Sequence, residues 1–100
     1  MATPAKSFIA TLRVRPDKLD AFVAAQTELK ALTQEHEPDA MVYELLQSDE
    51  DATLFCCIAT FRDEAAFQLH MGMDFHHRLV PIINDCLADE MDLRFFKSLS

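Results

Sequence analysis

The sequence predicts an α+β domain built on a four-stranded antiparallel sheet, and three observations carry the prediction. Four segments alternate apolar and polar residues with the period of two that a strand requires. Apolar residues recur at helical spacing over residues 16–35 and again, across a break, over residues 63–87. The resulting order is strand, helix, strand, strand, helical pair, strand, which is the ferredoxin-like split βαβ arrangement with its helices on one face of the sheet. One hundred residues make one domain, and an apolar share of 50% is enough for a core. A chain this short still buries only roughly 60 to 70% of its unfolded surface and often leans on a partner.

Residues 1–6 read as a loose tail and residues 7–100 as the domain. In the first strand, residues 7–14, Phe8, Ala10, Leu12 and Val14 share one face and Ile9, Thr11 and Arg13 the other. Pro16 stands where a first-turn proline belongs, and Asp17 and Asp20 suit the positive end of a helix. Leu19, Phe22, Val23, Leu29 and Leu32 form its apolar stripe, with Lys18, Asp20, Glu28, Gln34 and Glu35 elsewhere on the cylinder. The run His36-Glu37-Pro38-Asp39 ends this helix, because proline restricts its predecessor and cannot extend the hydrogen-bond ladder.

The second strand, residues 40–47, sets Met41, Tyr43 and Leu45 against Val42, Glu44 and Leu46. A polar turn over residues 48–52 leads into the third strand, residues 53–61, which is apolar on both sides. The last strand, residues 91–99, alternates Met91, Leu93 and Phe95 with Asp92, Arg94 and Phe96. Helices can cover only one face of such a sheet, yet the strands are apolar on both. The uncovered patch would exceed the few hundred Å² that a soluble monomer tolerates, so a homodimer through that face is expected.

Nine basic against seventeen acidic side chains give a net charge of -8, which repels both nucleic acid and anionic membrane surfaces. No apolar run approaches the ~18 residues of a membrane span, and the first seven residues lack the apolar core of a signal peptide. A cytoplasmic location is therefore expected. Cys56 and Cys57 are neighbours on a strand and point to opposite faces, and Cys86 stands alone. All three read as unpaired, small hydrophobic residues that activity does not need.

Residues 61–80, FRDEAAFQLHMGMDFHHRLV, organise the chain. They leave the third strand, start a helix on Asp63, break at Gly72, the one glycine present, and start a second helix at Asp74. Three of the four histidines lie here. At about 100° per residue, His70 falls between Ala66 and Phe67 on the buried side of its helix. The next helix has an apolar arc of Phe75, Leu79, Val80, Ile82, Ile83, Cys86 and Leu87, with His76 inside it and His77 outside. His77 and His36 read as solvated. Pro81 removes the hydrogen bond to the His77 carbonyl, so a local kink is expected beside the histidines.

Adjacent His76 and His77 splay their rings apart, and no HxxxH, HxxE or CxxC spacing accompanies them, so no metal site is expected. Phosphate-cradling loops are excluded for want of glycine, and no GxSxG is present. An apolar pocket between sheet and helices remains, with His70 and His76 in its wall, Tyr43 and Glu44 as further polar candidates, and Phe55, Phe67, Phe75 and Leu79 as its apolar lining.

Three phrases, FIATLRVRPDKLDAF from Phe8, EPDAMVYEL from Glu37 and FRDEAAFQLH from Phe61 followed by FHH from Phe75, together resemble the antibiotic biosynthesis monooxygenase (ABM) family of small dimeric α+β barrels. The resemblance spans nearly the whole chain. One departure is Asp39, which stands where the family usually has glycine after Glu-Pro, a substitution that a left-handed turn tolerates. The family includes cofactor-free quinol and polyketide oxygenases, haem-degrading enzymes and an isomerase of a phosphorylated quorum-sensing signal. The asparagine and tryptophan of the haem-degrading branch fall here at Ala10 and His70, so that branch does not match.

The resemblance thus implies a cofactor-independent monooxygenase acting with O₂ on a small aromatic, quinol or polyketide-like substrate, with His70 as general base. A phenolic hydroxyl would lose its proton in a water-poor cavity, and the electron-rich anion would itself pass an electron to O₂. Tyr43 or Arg13 would stabilise the oxyanion. Two alternatives stand: isomerisation of a small hydroxyketone, and a binding or stress-response barrel without turnover. His70, close behind the third strand on a short helix, is expected to carry the chemistry, and His76 to be packed and hydrogen-bonded.

Overall fold

The computed structural model describes residues 4–99. Its elements are β1 (Lys6–Arg13), a 3-10 turn (Pro16–Lys18), α1 (Leu19–His36), β2 (Ala40–Gln47), β3 (Leu54–Phe61), α2 (Glu64–Met71), α3 (Asp74–Asp85) and β4 (Asp92–Lys97). The strands pair in the order β2-β3-β1-β4, every pair antiparallel, which is the expected ferredoxin-like α+β topology. Residues 1–3 of the expected tail and residue 100 of the expected domain lie outside the described residues, and Lys6 already belongs to β1. No helix among the described residues is long and apolar enough to cross a membrane.

Strand alternation decides the covered face. Phe8, Ala10 and Leu12 of β1 face Ala59, Cys57 and Phe55 respectively across the β1–β3 ladder, and all are buried beneath the helices. Phe61 and Phe22 are fully buried in the same core. On the other face Ile9, Val42, Leu46 and Phe96 stay exposed, 38–50% each, so the uncovered apolar patch of the sequence reading is present.

The helices follow their local signals, with three corrections. Asp63 caps α2, its Oδ1 accepting from the Ala66 N–H at 2.9 Å, and Gly72 ends the helix, its N–H donating to the Gln68 carbonyl. Pro81 sits inside α3, which continues to Asp85. In α1 the buried stripe is Phe22, Ala25, Gln26, Leu29 and Thr33, so Val23 is exposed instead of core. A 4-3-4 stagger from Phe22 centres the helix on Gln26, which rotates Val23 out. Ile82 likewise faces solvent, because Leu79 and Ile83 take the inner line of α3, continued by Cys86 at its C-cap. Asp39 does not adopt the left-handed turn: no non-glycine residue among those described has a positive φ. All three cysteines are free thiols, Cys57 and Cys86 buried and Cys56 partly so.

Candidate active site

α2 is only eight residues long, and its inner face consists of Ala66, Phe67 and His70. The cap at Asp63 fixes the start of the helix and therefore the direction of the His70 ring, one residue before its end. That ring is 1% exposed. It packs between Phe61, Tyr43 and His76, with centroid separations of 5.0, 5.6 and 4.7 Å.

The partner of His70 comes from the far end of α1. The Glu37 N–H donates to the Thr33 carbonyl at 2.9 Å and the Glu37 carbonyl accepts from Ala40 N–H at 3.0 Å, so its backbone is held on both sides. Its side chain turns inward, 3% exposed, and places both carboxylate oxygens 3.0 Å from His70 Nδ1. The contact leaves Nε2, on the opposite side of the ring, as the nitrogen free for a ligand.

Burial pushes Glu37 up to about 7, against a smaller opposing pull from His36, and drives His70 down to about 4. Both directions have one cause: a lone charge on either group is poorly solvated here. The bridge holds one proton between carboxylate and imidazole in its net-neutral state, and in that state Nε2 also carries hydrogen. Losing one proton gives a carboxylate bonded to Nδ1–H and a free, basic Nε2. The pair titrates as a unit. Because burial favours its neutral state, the pair regains that proton more readily than a solitary buried imidazole would.

A cavity of about 120 Å³ lies between the sheet and the helices, where roughly 10–15 Å³ suffices for one water. Phe8, Ala10 and Leu12 form its floor; Tyr43, Cys57, Phe67, Met71, Val80, Ile83 and Leu93 add to a mostly apolar wall. The polar groups lining it include His70, His76, Gln26 and Asn84. Burial keeps the Tyr43 phenol protonated and pushes the Cys57 thiol up to about 11, so both present neutral groups. His76 is driven down to about 4 by burial and by the neighbouring His70 and His77.

Of the residues expected at the site, Tyr43, Phe67, His70 and His76 line the cavity and Phe55, Phe75 and Leu79 do not. Phe55 lies further along β3 and packs on Phe22, ring centroids 4.7 Å apart. Phe75, one helical step from His76, turns toward the His36 ring at 5.9 Å. Leu79 is buried in the core. The carboxylate of the site is Glu37 and not Glu44, which alternation puts beside Val42 and Leu46 on the open face. Arg13 is spent on Asp51 at 2.8 Å, away from the cavity. His70 is enclosed, as its inward spacing required, whereas His76, expected to be packed, is only half-buried. Among the described residues no three His, Cys, Asp or Glu side chains gather as a metal site would need.

Sequence reasoning missed Glu37 and Gln26. A signal for each was present. Glu37 follows the C-terminus of an 18-residue helix, where the macrodipole disfavours an acid, and Gln26 sits midway between Phe22 and Leu29 on the apolar stripe.

The architecture is that of an α+β sheet-and-helix domain in which His70, paired with Glu37, lines a mostly apolar cavity. The chain belongs to the antibiotic biosynthesis monooxygenase family, whose sequence model matches residues 7–81. It is similar in structure to a Caulobacter crescentus CB15 protein assigned provisionally to that family, with 20% identity over 98% of this chain and 92% of the other and a TM-score of 0.93. It also resembles a Nitrosomonas europaea protein with the same provisional assignment, at 20% identity, 99% and 94% coverage and a TM-score of 0.90. A third likeness is to an antibiotic biosynthesis monooxygenase at 25% identity, 95% and 99% coverage and a TM-score of 0.87. No functionally curated protein matches the chain.

Proposed function

We propose that the protein is a cofactor-independent monooxygenase of small phenolic or quinol substrates, using the Glu37–His70 pair as its base. The observation that carries this reading is the 3.0 Å bridge from buried Glu37 to buried His70, which lines an apolar cavity. With Nδ1–H held by the carboxylate, Nε2 takes the proton of a substrate hydroxyl, and the pair returns to its net-neutral state. Burial favours that return, so the same desolvation that weakens a solitary histidine strengthens the pair. Protonated Tyr43 donates a hydrogen bond to the phenolate.

The phenolate passes one electron to O₂, and the resulting radical and superoxide combine into a carbon–oxygen bond. The peroxide takes a proton from the pair, and the O–O bond breaks with loss of water. One oxygen atom remains on the ring as a carbonyl: phenol plus O₂ gives quinone plus water, with no outside reductant. Family membership supports an oxygenase, and the apolar walls keep water from the anion. The isomerase alternative is disfavoured for a phosphorylated substrate, since no Lys or Arg is among the described residues lining the cavity.

The working unit in this proposal is a homodimer joined through the open face, where Ile9, Val42, Leu46 and Phe96 lie exposed. Sedimentation at micromolar concentration should give twice the monomer mass, and a monomer there would remove the dimer from the account. The activity is tested by O₂ consumption on adding a quinol, together with a product mass that shows one oxygen gained and two hydrogens lost. A protein that binds quinols without consuming O₂ is a binding barrel instead.

A further inference from the structure

Glu37 and His70 are 3% and 1% exposed, so the proton that the pair gives up and regains has almost no direct contact with solvent. Of the ionisable side chains lining the cavity, Tyr43 and Cys57 are kept protonated by burial and carry no proton in or out near neutrality. His76 is the remaining one. Its ring stands edge-on to that of His70, at a centroid separation of 4.7 Å and an interplanar angle of 74°. A proton crosses such a gap with at most one intervening water. The next residue, His77, is exposed, and its ring lies 6.3 Å from that of His76. Three imidazoles therefore lead outward in order of burial: His70 enclosed, His76 half-buried and His77 in solvent. The helical spacing that spoils His76 and His77 as a metal pair sets the first on the cavity and the second outside it.

We infer that His76 is the proton-transfer residue of this site, carrying the proton between the Glu37–His70 pair and solvent. This rests on the pair acting as the base in the proposed function, but it concerns the exchange that readies the base and not the oxidation itself. From the net-neutral state, the His70 Nε2–H gives its proton to one nitrogen of His76, and His76 releases a proton from its other nitrogen to water. The reverse sequence reloads the pair. Only N–H and O–H bonds are made and broken. An imidazole suits this task because either nitrogen accepts or donates. Burial and the neighbouring His70 and His77 drive His76 down to about 4, so it passes the proton on instead of retaining it.

The test reads the exchange directly, in intact isotope-labelled protein without substrate, as magnetisation transfer from water to the His70 ring N–H protons. In His76→Ala that exchange should slow by roughly 10²-fold, the low end of what a positioned proton-transfer group contributes, and free imidazole in solution should restore it. The substitution also widens the way into the cavity, so a role limited to steric gating gives the opposite result, faster exchange. Exchange at or above the parent rate in His76→Ala overturns the proposal, because water then reaches His70 unaided. Slowed exchange that imidazole leaves slow reflects a structural change and removes the carrier. His76→Asn replaces the alanine variant if that does not fold. His36, exposed next to Glu37 and absent from the cavity wall, is the control, and His36→Ala should leave the exchange unchanged. Slowed exchange there, with parent-like exchange in His76→Ala, places the exit on the Glu37 side and overturns the proposal too. O₂ uptake with a quinol, measured alongside, separates the two claims. Slow, imidazole-restored exchange in His76→Ala with no O₂ uptake by the parent keeps the carrier and removes the oxygenase. O₂ uptake by a parent whose exchange does not depend on His76 removes the carrier and keeps the oxygenase.

Discussion

The two faces of the sheet are cut from the same strands and have opposite effects on polar groups. On the covered face, Phe8, Leu12, Phe55 and Phe61 are at most 8% exposed, and the helices above them enclose Glu37 and His70. There an acid is pushed up to about 7. At the solvated end of the sheet, Asp51 is held down to about 2 by hydrogen bonds from Thr53 and by Arg13. Desolvation decides the first case and hydrogen bonding the second. The open face has neither a helix above it nor a comparable enclosed pair, only exposed apolar side chains beside polar ones. Cover, more than residue type, decides which way a carboxyl group's proton affinity moves.

That comparison can be broken in several places. The largest stability effect should come from the covered face: Phe61→Ala empties a fully buried site and should cost about 3–5 kcal/mol in denaturant unfolding. On the open face, Leu46→Lys should leave the monomer fold intact, within about 0.5 kcal/mol as for ordinary surface changes, and convert the dimer to monomer in sedimentation. A monomer-like parent, or a loss of fold in the variant, would show that this face does not differ as described.

A smaller effect concerns pH. His70 and His76 are depressed when folded, so their contribution is present above about 6.5 and is lost as pH falls toward 4. Glu37 is raised, so its contribution runs the other way, present below about 4.5 and lost as pH rises to about 7. Two groups against one make the melting temperature rise with pH from 4 to 6.5. Glu37→Gln should steepen that rise, and an unchanged slope would argue against a buried acid. The smallest effect is expected at Cys56, partly exposed on the open face, where Cys56→Ser should leave O₂ uptake within about twofold.

Alternation and caps made the frame legible: β2 was read over its full length, and the starts of α2 and α3 followed from Asp63 and Asp74. The inward turn of His70 was legible too, because helical spacing from Ala66 and Phe67 defines it. Its partner was not. Glu37 and His70 are 33 residues apart, and nothing local brings the end of α1 over α2. The fates of Phe55, Phe75 and Leu79 had the same limit, since periodicity gives a face but not the position along it. Gln26 was hidden among hydrophobic neighbours because a stripe is read from its apolar members.

The central claim is that Glu37 and His70 act together as the base, and the pH profile of O₂ uptake tests it most directly. With a quinol as substrate, the parent rate should rise through a pH of about 7, where the pair loses its proton and frees Nε2. Glu37→Gln keeps an acceptor for Nδ1–H but cannot hold the proton, so the inflection near 7 should disappear and the rate at pH 8 should fall by roughly 10²-fold. His70→Ala should lose at least as much, again roughly 10²-fold, and should also lower the melting temperature, because it empties a buried site and leaves the Glu37 carboxyl unpaired. A Glu37→Gln protein with the parent's rate and the parent's inflection would contradict the account.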